Sequence, residues 1–166
     1  MSIFLAIPVL SIATILQSAV ISRMPLLNGT ADIILLTIIA WSVQEDVETG
    51  WQWGLIGGFL ADFTSGLPFG VFTISYLLTT GLALALRKRI WKFIILGQLF
   101  ATVVGTLLTH AASLLAVFIQ GTNLPLRVVL ETITLPSIIL NLIFTIPVYI
   151  LIQEIALRLH PEEIAI

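Results

Sequence analysis

Residues 58–70 read GFLADFTSGLPFG. An apolar helix carries one carboxylate, Asp62, and then meets Ser65, Gly66 and Pro68, which end it, before Gly70. Ser, Gly and Pro together punctuate a helix because they favour turns, tolerate unusual dihedrals or lack an amide donor. The acid's setting is unusual, since 58% of the 166 residues are hydrophobic and only 10% are charged. Mean hydropathy is +1.13, far above that of soluble domains. Such a chain is expected to be an integral membrane protein. Crossing a hydrocarbon core of ~30 Å takes about 20 helical residues, which leaves room for about six spans and no separate soluble domain. Residues 1–166 are therefore expected to form a single polytopic membrane domain.

Working outward, continuous apolar runs predict helices, whereas a membrane barrel would need ten-residue alternating strands. The expected fold is an all-α bundle with segments at 3–22, 31–44, 51–66, 70–86, 93–119 and 128–156. Breakers lie between them: Pro25 with Asn28-Gly29, QEDVETG, Gly66-Leu67-Pro68, RKRIWK and GTNLPLR. Segments two to four are short for a full crossing, while five and six are long, so tilted or recessed helices are expected. Pro136 and Pro147 predict a kinked sixth segment with 126–135 near the interface. Lys and Arg concentrate on one side as Arg87, Lys88, Arg89, Lys92 and Arg158, against Arg23 and Arg127 on the other. Both termini are thus expected in the cytoplasm. Trp51, Trp53 and Trp91 fit interfacial anchors.

Several function classes drop out. The net charge is −2 and no basic run exceeds Arg87-Lys88-Arg89, so no nucleic-acid partner is expected. There is no Cys, which removes disulfides and thiol chemistry. The first apolar stretch lacks a basic n-region and a small-residue cleavage site, so it reads as a retained helix. No nucleophile with a base, no paired carboxylates and no phosphate loop stand out, so no enzymatic activity, cofactor or metal is expected.

Two rows of small residues are the main packing signal. Gly50, Gly54, Gly58, Asp62 and Gly66 recur every four residues, with Gly57, Ala61 and Ser65 alongside. Gly97, Ala101, Gly105, Thr109 and Ser113 repeat the device in the fifth segment. In lipid, such seams let helices approach closely where hydrophobic exclusion is absent. They either glue this protein's own helices together or receive a helix from another protein. Asp62 lies about 11 residues, ~16 Å, into its helix and needs a partner there. Its expected role is a polar clasp on the turn, accepting from Thr64, Ser65 or amides around Gly66-Leu67-Pro68, with proton relay or ligand contact as the alternative. His110 and Asn141 read as hydrogen-bonded packing residues, and Arg127 with Glu131 as an interfacial ion pair.

The chain resembles the MreD family, small membrane proteins of the bacterial rod-shape (elongation) system. The residues that carry the resemblance are Gln17-Ser18, Pro25-Leu26 and Gly29 ahead of Asp32-Ile33-Ile34-Leu35-Leu36, and above all GFLADFTSGLPFGVFTISYLLTTGLA at 58–83. Within that block Gly54, Gly57, Gly58, Asp62, Ser65, Gly66, Pro68, Gly70 and Tyr76 take the family's places. Ala31 stands where the family commonly has Pro, and the match covers mainly residues 15–90. The resemblance implies a six-helix, non-enzymatic partner of MreC in the cell (inner) membrane, in an assembly with the MreB filament, the RodA glycosyltransferase and a class B transpeptidase. It further implies a fold similar to the substrate-binding subunits of energy-coupling-factor vitamin transporters. That kinship supplies the alternative function, a vitamin-binding membrane subunit. Against the alternative, whose first helix would present an Ala-xxx-Ala docking motif to an energising subunit, Ala6, Ala13 and Ala19 are never four apart, and polar residues toward the outer side are few.

Overall fold

The computed structural model describes residues 2–44, 47–89 and 94–159. The helices are α1 (Ser2–Ala19), α2 (Ile33–Ser42), α3 (Gly50–Thr64), α4 (Val71–Arg89), α5 (Ile94–Ile119), α6 (Leu126–Val129) and α7 (Leu135–Leu159). A 3-10 turn (Ile21–Arg23) follows α1, and a π turn (Leu130–Thr134) joins α6 to α7 without a break. Among the described residues the fold is all-helical, with no strand. Six helical segments fall where the apolar runs place them, the last being α6, the π turn and α7 together. Three stretches, Ile3–Arg23, Ile94–Ile119 and Leu126–Arg158, are long and apolar enough to cross a membrane.

At the centre stands α2. A helix that is hydrophobic all round has no face to offer water and must be buried, and nine of its ten residues, Ile34 to Ser42, are. It packs against α1, α3, α4, α5 and α7. Its length is about 15 Å, so it could not span a bilayer alone, and its neighbours spare it from having to. The outer surface is apolar, with Phe4, Phe63, Ile74, Phe118 and Leu151 among the most exposed side chains. Thr79, Thr80, Thr102, Thr106 and Asn141 are buried inside. A polar interior under an apolar exterior suits hydrocarbon, where each buried polar group must find its partner within the protein.

Both small-residue seams serve internal contacts. A Cβ on Gly58 would lie 2.5 Å from Thr73 Cα, and one on Gly54 would lie 2.5 Å from Thr80 Oγ1, both in α4. The adjacent row faces α2, where a Cβ on Gly57 would meet Ile38 at 2.6 Å. Gly50 lies between Ser42 and Leu84. In α5, Gly105 abuts Thr79 at 2.6 Å and Leu35 at 3.4 Å, and Ala101 is fully buried. Gly66 and Gly97 have nothing within 4 Å of the Cβ position. The rows therefore hold α3 and α5 against α2 and α4, and the seam is tight only in its middle.

The ends of the elements are closed by local chemistry. Of the run predicted as a breaker, Arg87, Lys88 and Arg89 instead form the last turn of α4, where their charge complements the helix dipole, and residues 90–92 lie outside the described residues. Arg87 Nη1 donates to the Gln44 and Val47 carbonyls, bracing the connection after α2. Gly121, at φ +87°, ends α5 in a Schellman motif, its amide on Phe118 O and that of Thr122 on Val117 O. One sequence expectation is corrected: Trp53 is no interfacial anchor but is fully buried and stacked on Trp41 at 4.1 Å. It lies one turn beyond Gly50 on the side facing α2, and so points inward. Trp51 is half exposed, and Trp91 lies outside the described residues.

Candidate functional site: the Asp62 clasp and the Asp32 cavity

Asp62 is buried and caps α4 from outside that helix. Its Oδ2 accepts from Gly70 N (2.9 Å), Thr73 N (3.1 Å) and Thr73 Oγ1 (2.6 Å), and its Oδ1 from Phe72 N (2.9 Å). Val71 N reaches Pro68 O at 3.4 Å. All four initial amides of α4, orphaned by helix geometry, are thereby satisfied, and the carboxylate sits at the positive end of the helix dipole. The expected clasp is present with different donors. Thr64 Oγ1 donates instead to Leu60 O and Ala61 O, and Ser65 Oγ to the backbone carbonyl of Asp62. The difference arises because the turn carries the start of α4 back over the carboxylate, a reversal helped by Gly70 at φ +102°.

A second set of bonds pins the connection into α2. The amides of Asn28, Thr30 and Asp32 donate to Thr132 O (3.0 Å), Ser137 Oγ (3.0 Å) and Asn141 Oδ1 (2.7 Å). Asn28 lies in a tight turn closed by Leu26 and Gly29, each amide on the other's carbonyl at 2.9 Å, and the chain runs on from it to Asp32. Pro136 contributes by absence: it cannot donate to Thr132, whose carbonyl takes the Asn28 amide instead. A Cβ on Gly29 would lie 2.6 Å from both Ile133 O and Ser137 N, so only glycine allows this approach. From the other side, Gln17 Nε2 donates to Ala31 O (2.7 Å) and Gln17 Oε1 accepts from Ile33 N (2.8 Å).

Asp32, delivered by that segment, N-caps α2 by accepting from Leu35 N at 3.0 Å. The Tyr76 hydroxyl of α4 donates to both its oxygens, at 2.9 and 2.7 Å. Asp32 and Tyr76 lie on the wall of a cavity of about 400 Å³ between the C-terminal part of α1, the second half of α5 and the π turn. Exposed Ser18, Ser22 and Leu124 also border it. His110, Thr109 and Ser113 face it from α5, and His110 Nδ1 is hydrogen-bonded to Thr134 Oγ1 at 3.0 Å. The volume lies at the small end of ligand pockets.

Among the sequence-predicted positions, Gly50, Gly54, Gly58 and Asp62 line the α3 side of the interface with α4. Gly70 joins them at the clasp, while Pro68 supplies a carbonyl to it. Gly66 is an exposed bend. Gly97, Ala101 and Gly105 lie apart, on α5. Asn141 is the packing residue expected, donating from Nδ2 to Thr106 Oγ1 at 2.8 Å. Arg127 and Glu131 form the expected exposed pair at 2.7 Å. Polar groups gather on the cavity wall, to which separate segments each bring one to three. The pairing of Asp32 with Tyr76, 44 residues apart, carries no local signal. Only the position of Asp32 just before an apolar run, an N-cap pattern, could have singled it out.

Fold and site together define, among the described residues, a helical bundle with an apolar exterior, an interior polar network and a pocket at the end opposite the basic turn of α4. No family model, curated protein or solved structure matches the chain.

Proposed function

We propose that the chain is a non-enzymatic membrane partner of the rod (elongation) complex, an MreD-like protein of the cell membrane with both termini cytoplasmic. In this reading it binds MreC and through it joins RodA, the class B transpeptidase and MreB in controlling cell shape and peptidoglycan synthesis. The observation that supports it best is the use made of the polar residues on which the resemblance rests. Gln17, Asp32, Asp62 and Tyr76 hold backbone and helix ends in place, as a scaffold requires. Because Gly54, Gly58 and Gly105 are closed by the protein's own helices, the partner's helix docks on the exposed apolar surface and not in those seams. Among the described residues no three His, Asp or Glu side chains gather as a metal-holding group. The test is co-purification with MreC in mild detergent. Recovery of MreC supports the reading, and recovery of an ATP-driven transporter module in its place overturns it.

One observation favours the second reading, a substrate-binding subunit of a vitamin transporter. The cavity has the size of a small-molecule site and a polar wall. The spacing of Ala6, Ala13 and Ala19, never four residues apart, still speaks against the docking motif of that class.

A further inference from the structure

The two aspartates of the interior differ in what completes them. Asp62 receives four donors in a closed turn. Asp32 is held by one hydroxyl, that of Tyr76, and by the Leu35 and Ile34 amides at the start of α2, and among the described residues it is the sole Asp, Glu, Lys or Arg on the cavity wall. Its described partners all donate to it, the arrangement that suits an ionised carboxylate. A carboxylate in a low-dielectric interior without a cation is costly, and here the space beside it is open.

We propose that the cavity binds a ligand bearing a protonated primary amine, with Asp32 as counter-ion and the ligand's apolar body against Phe72 and Ile34. An anion would meet the carboxylate's repulsion with no Lys or Arg on the wall to offset it, and a neutral ligand would leave the charge unpaired. The ammonium supplies up to three donors to an acceptor with lone pairs to spare, in a charge-assisted bond. Phe72 and Tyr76, edge to face at 5.8 Å, form an aromatic corner suited to a cation. Ser113 has no hydrogen-bond partner among the described residues, and His110 uses only Nδ1 on Thr134, so both have polar capacity to offer the ligand. The ammonium can come from a free amine or from a phosphatidylethanolamine headgroup entering from the bilayer. The proposal does not rest on the partner reading, since a scaffold and a transport subunit can equally carry such a site.

The experiment uses the full chain in phosphatidylglycerol nanodiscs. Phenethylamine is the free-amine probe, 2-phenylethanol its uncharged match, and phosphatidylethanolamine doped into the discs the lipid probe. Thermal shift and native mass spectrometry read out binding. Phenethylamine or phosphatidylethanolamine is expected to bind and raise the Tm, and the alcohol is not. Binding of the lipid alone identifies the headgroup as source, and binding of the free amine alone identifies a soluble ligand. Asp32→Asn keeps the N-cap and an acceptor for Tyr76 and is expected to weaken binding about tenfold or more through loss of one charge-assisted bond. Ser113→Leu, which narrows the cavity and leaves Asp32 intact, is expected to abolish it. Failure of both amines to bind, equal binding of the alcohol, or full affinity in Asp32→Asn overturns the proposal. MreC recovery is scored separately and does not bear on it.

Discussion

Asp62 converts four donors at the start of α4 into one fixed corner, and the distribution of those donors sets the order of its variants. Three converge on Oδ2 and one on Oδ1. Asp62→Asn can keep its oxygen on the side of the three, but its amide then faces Phe72 N–H, donor against donor. The expected loss is about 1–3 kcal/mol, that of one buried unpaired donor. Asp62→Leu leaves all four unpaired and is expected to prevent stable folding, since the sum approaches the whole stability of a domain. Thermal unfolding in detergent checks the order. Equal stability of the Asn and Leu variants would show that the carboxylate is not the clasp. A proton-relay role instead predicts an Asn variant that folds normally and is inactive in complementation of cell shape.

At the scale of elements, close approach is concentrated at a few glycines, and alanine scanning separates them. Gly58→Ala drives a methyl onto Thr73 backbone and Gly29→Ala onto the backbone of Ile133 and Ser137. Each is expected to cost about 1–3 kcal/mol, the range for overpacking. Gly97→Ala meets nothing and is expected to be neutral or slightly stabilising, because alanine is the better helix former. If Gly97→Ala is as damaging as Gly58→Ala, the seam does not work by contact. The docking of residues 28–33 gives a second test. Gln17→Leu frees the Ile33 amide and Ala31 carbonyl, with an expected loss of about 1–3 kcal/mol for each group left buried and unpaired. Faster hydrogen exchange at Ile33 is the direct readout, and unchanged protection would remove Gln17 from the clamp.

For the whole molecule, six helical segments put α1's start, α4's basic end and α7's end on one face, and the cavity on the other. Because the chain has no Cys, single cysteines report topology cleanly. Thr122→Cys, beyond the Schellman turn, is expected to react with an impermeant maleimide added to intact cells, and Lys88→Cys only after lysis. The reverse pattern would invert the orientation drawn from the Lys and Arg distribution. Residue 90, in the same basic stretch, lies outside the described residues.

The sequence by itself determined the class and the division of the chain. Apolar runs of helical length, with Gly, Pro and Asn between them, place six segments within a few residues of their observed ends, because hydropathy and helix breaking are local properties. It also located the Asp62 corner and the glycine rows, since period-four spacing fixes which residues share a helix side. Tertiary structure alone decided which helix lies at the centre, since α2 is distinguished from other apolar runs only by its neighbours. It also turned Trp53 inward, gave Asp62 the donors of α4 in place of Thr64 and Ser65, and drew Gln17, Asp32, Tyr76 and His110 around one cavity. These are contacts between residues far apart in the chain. Each partner is chosen by packing of whole helices and by the need to satisfy every buried polar group, a condition on the assembled bundle that no single segment records.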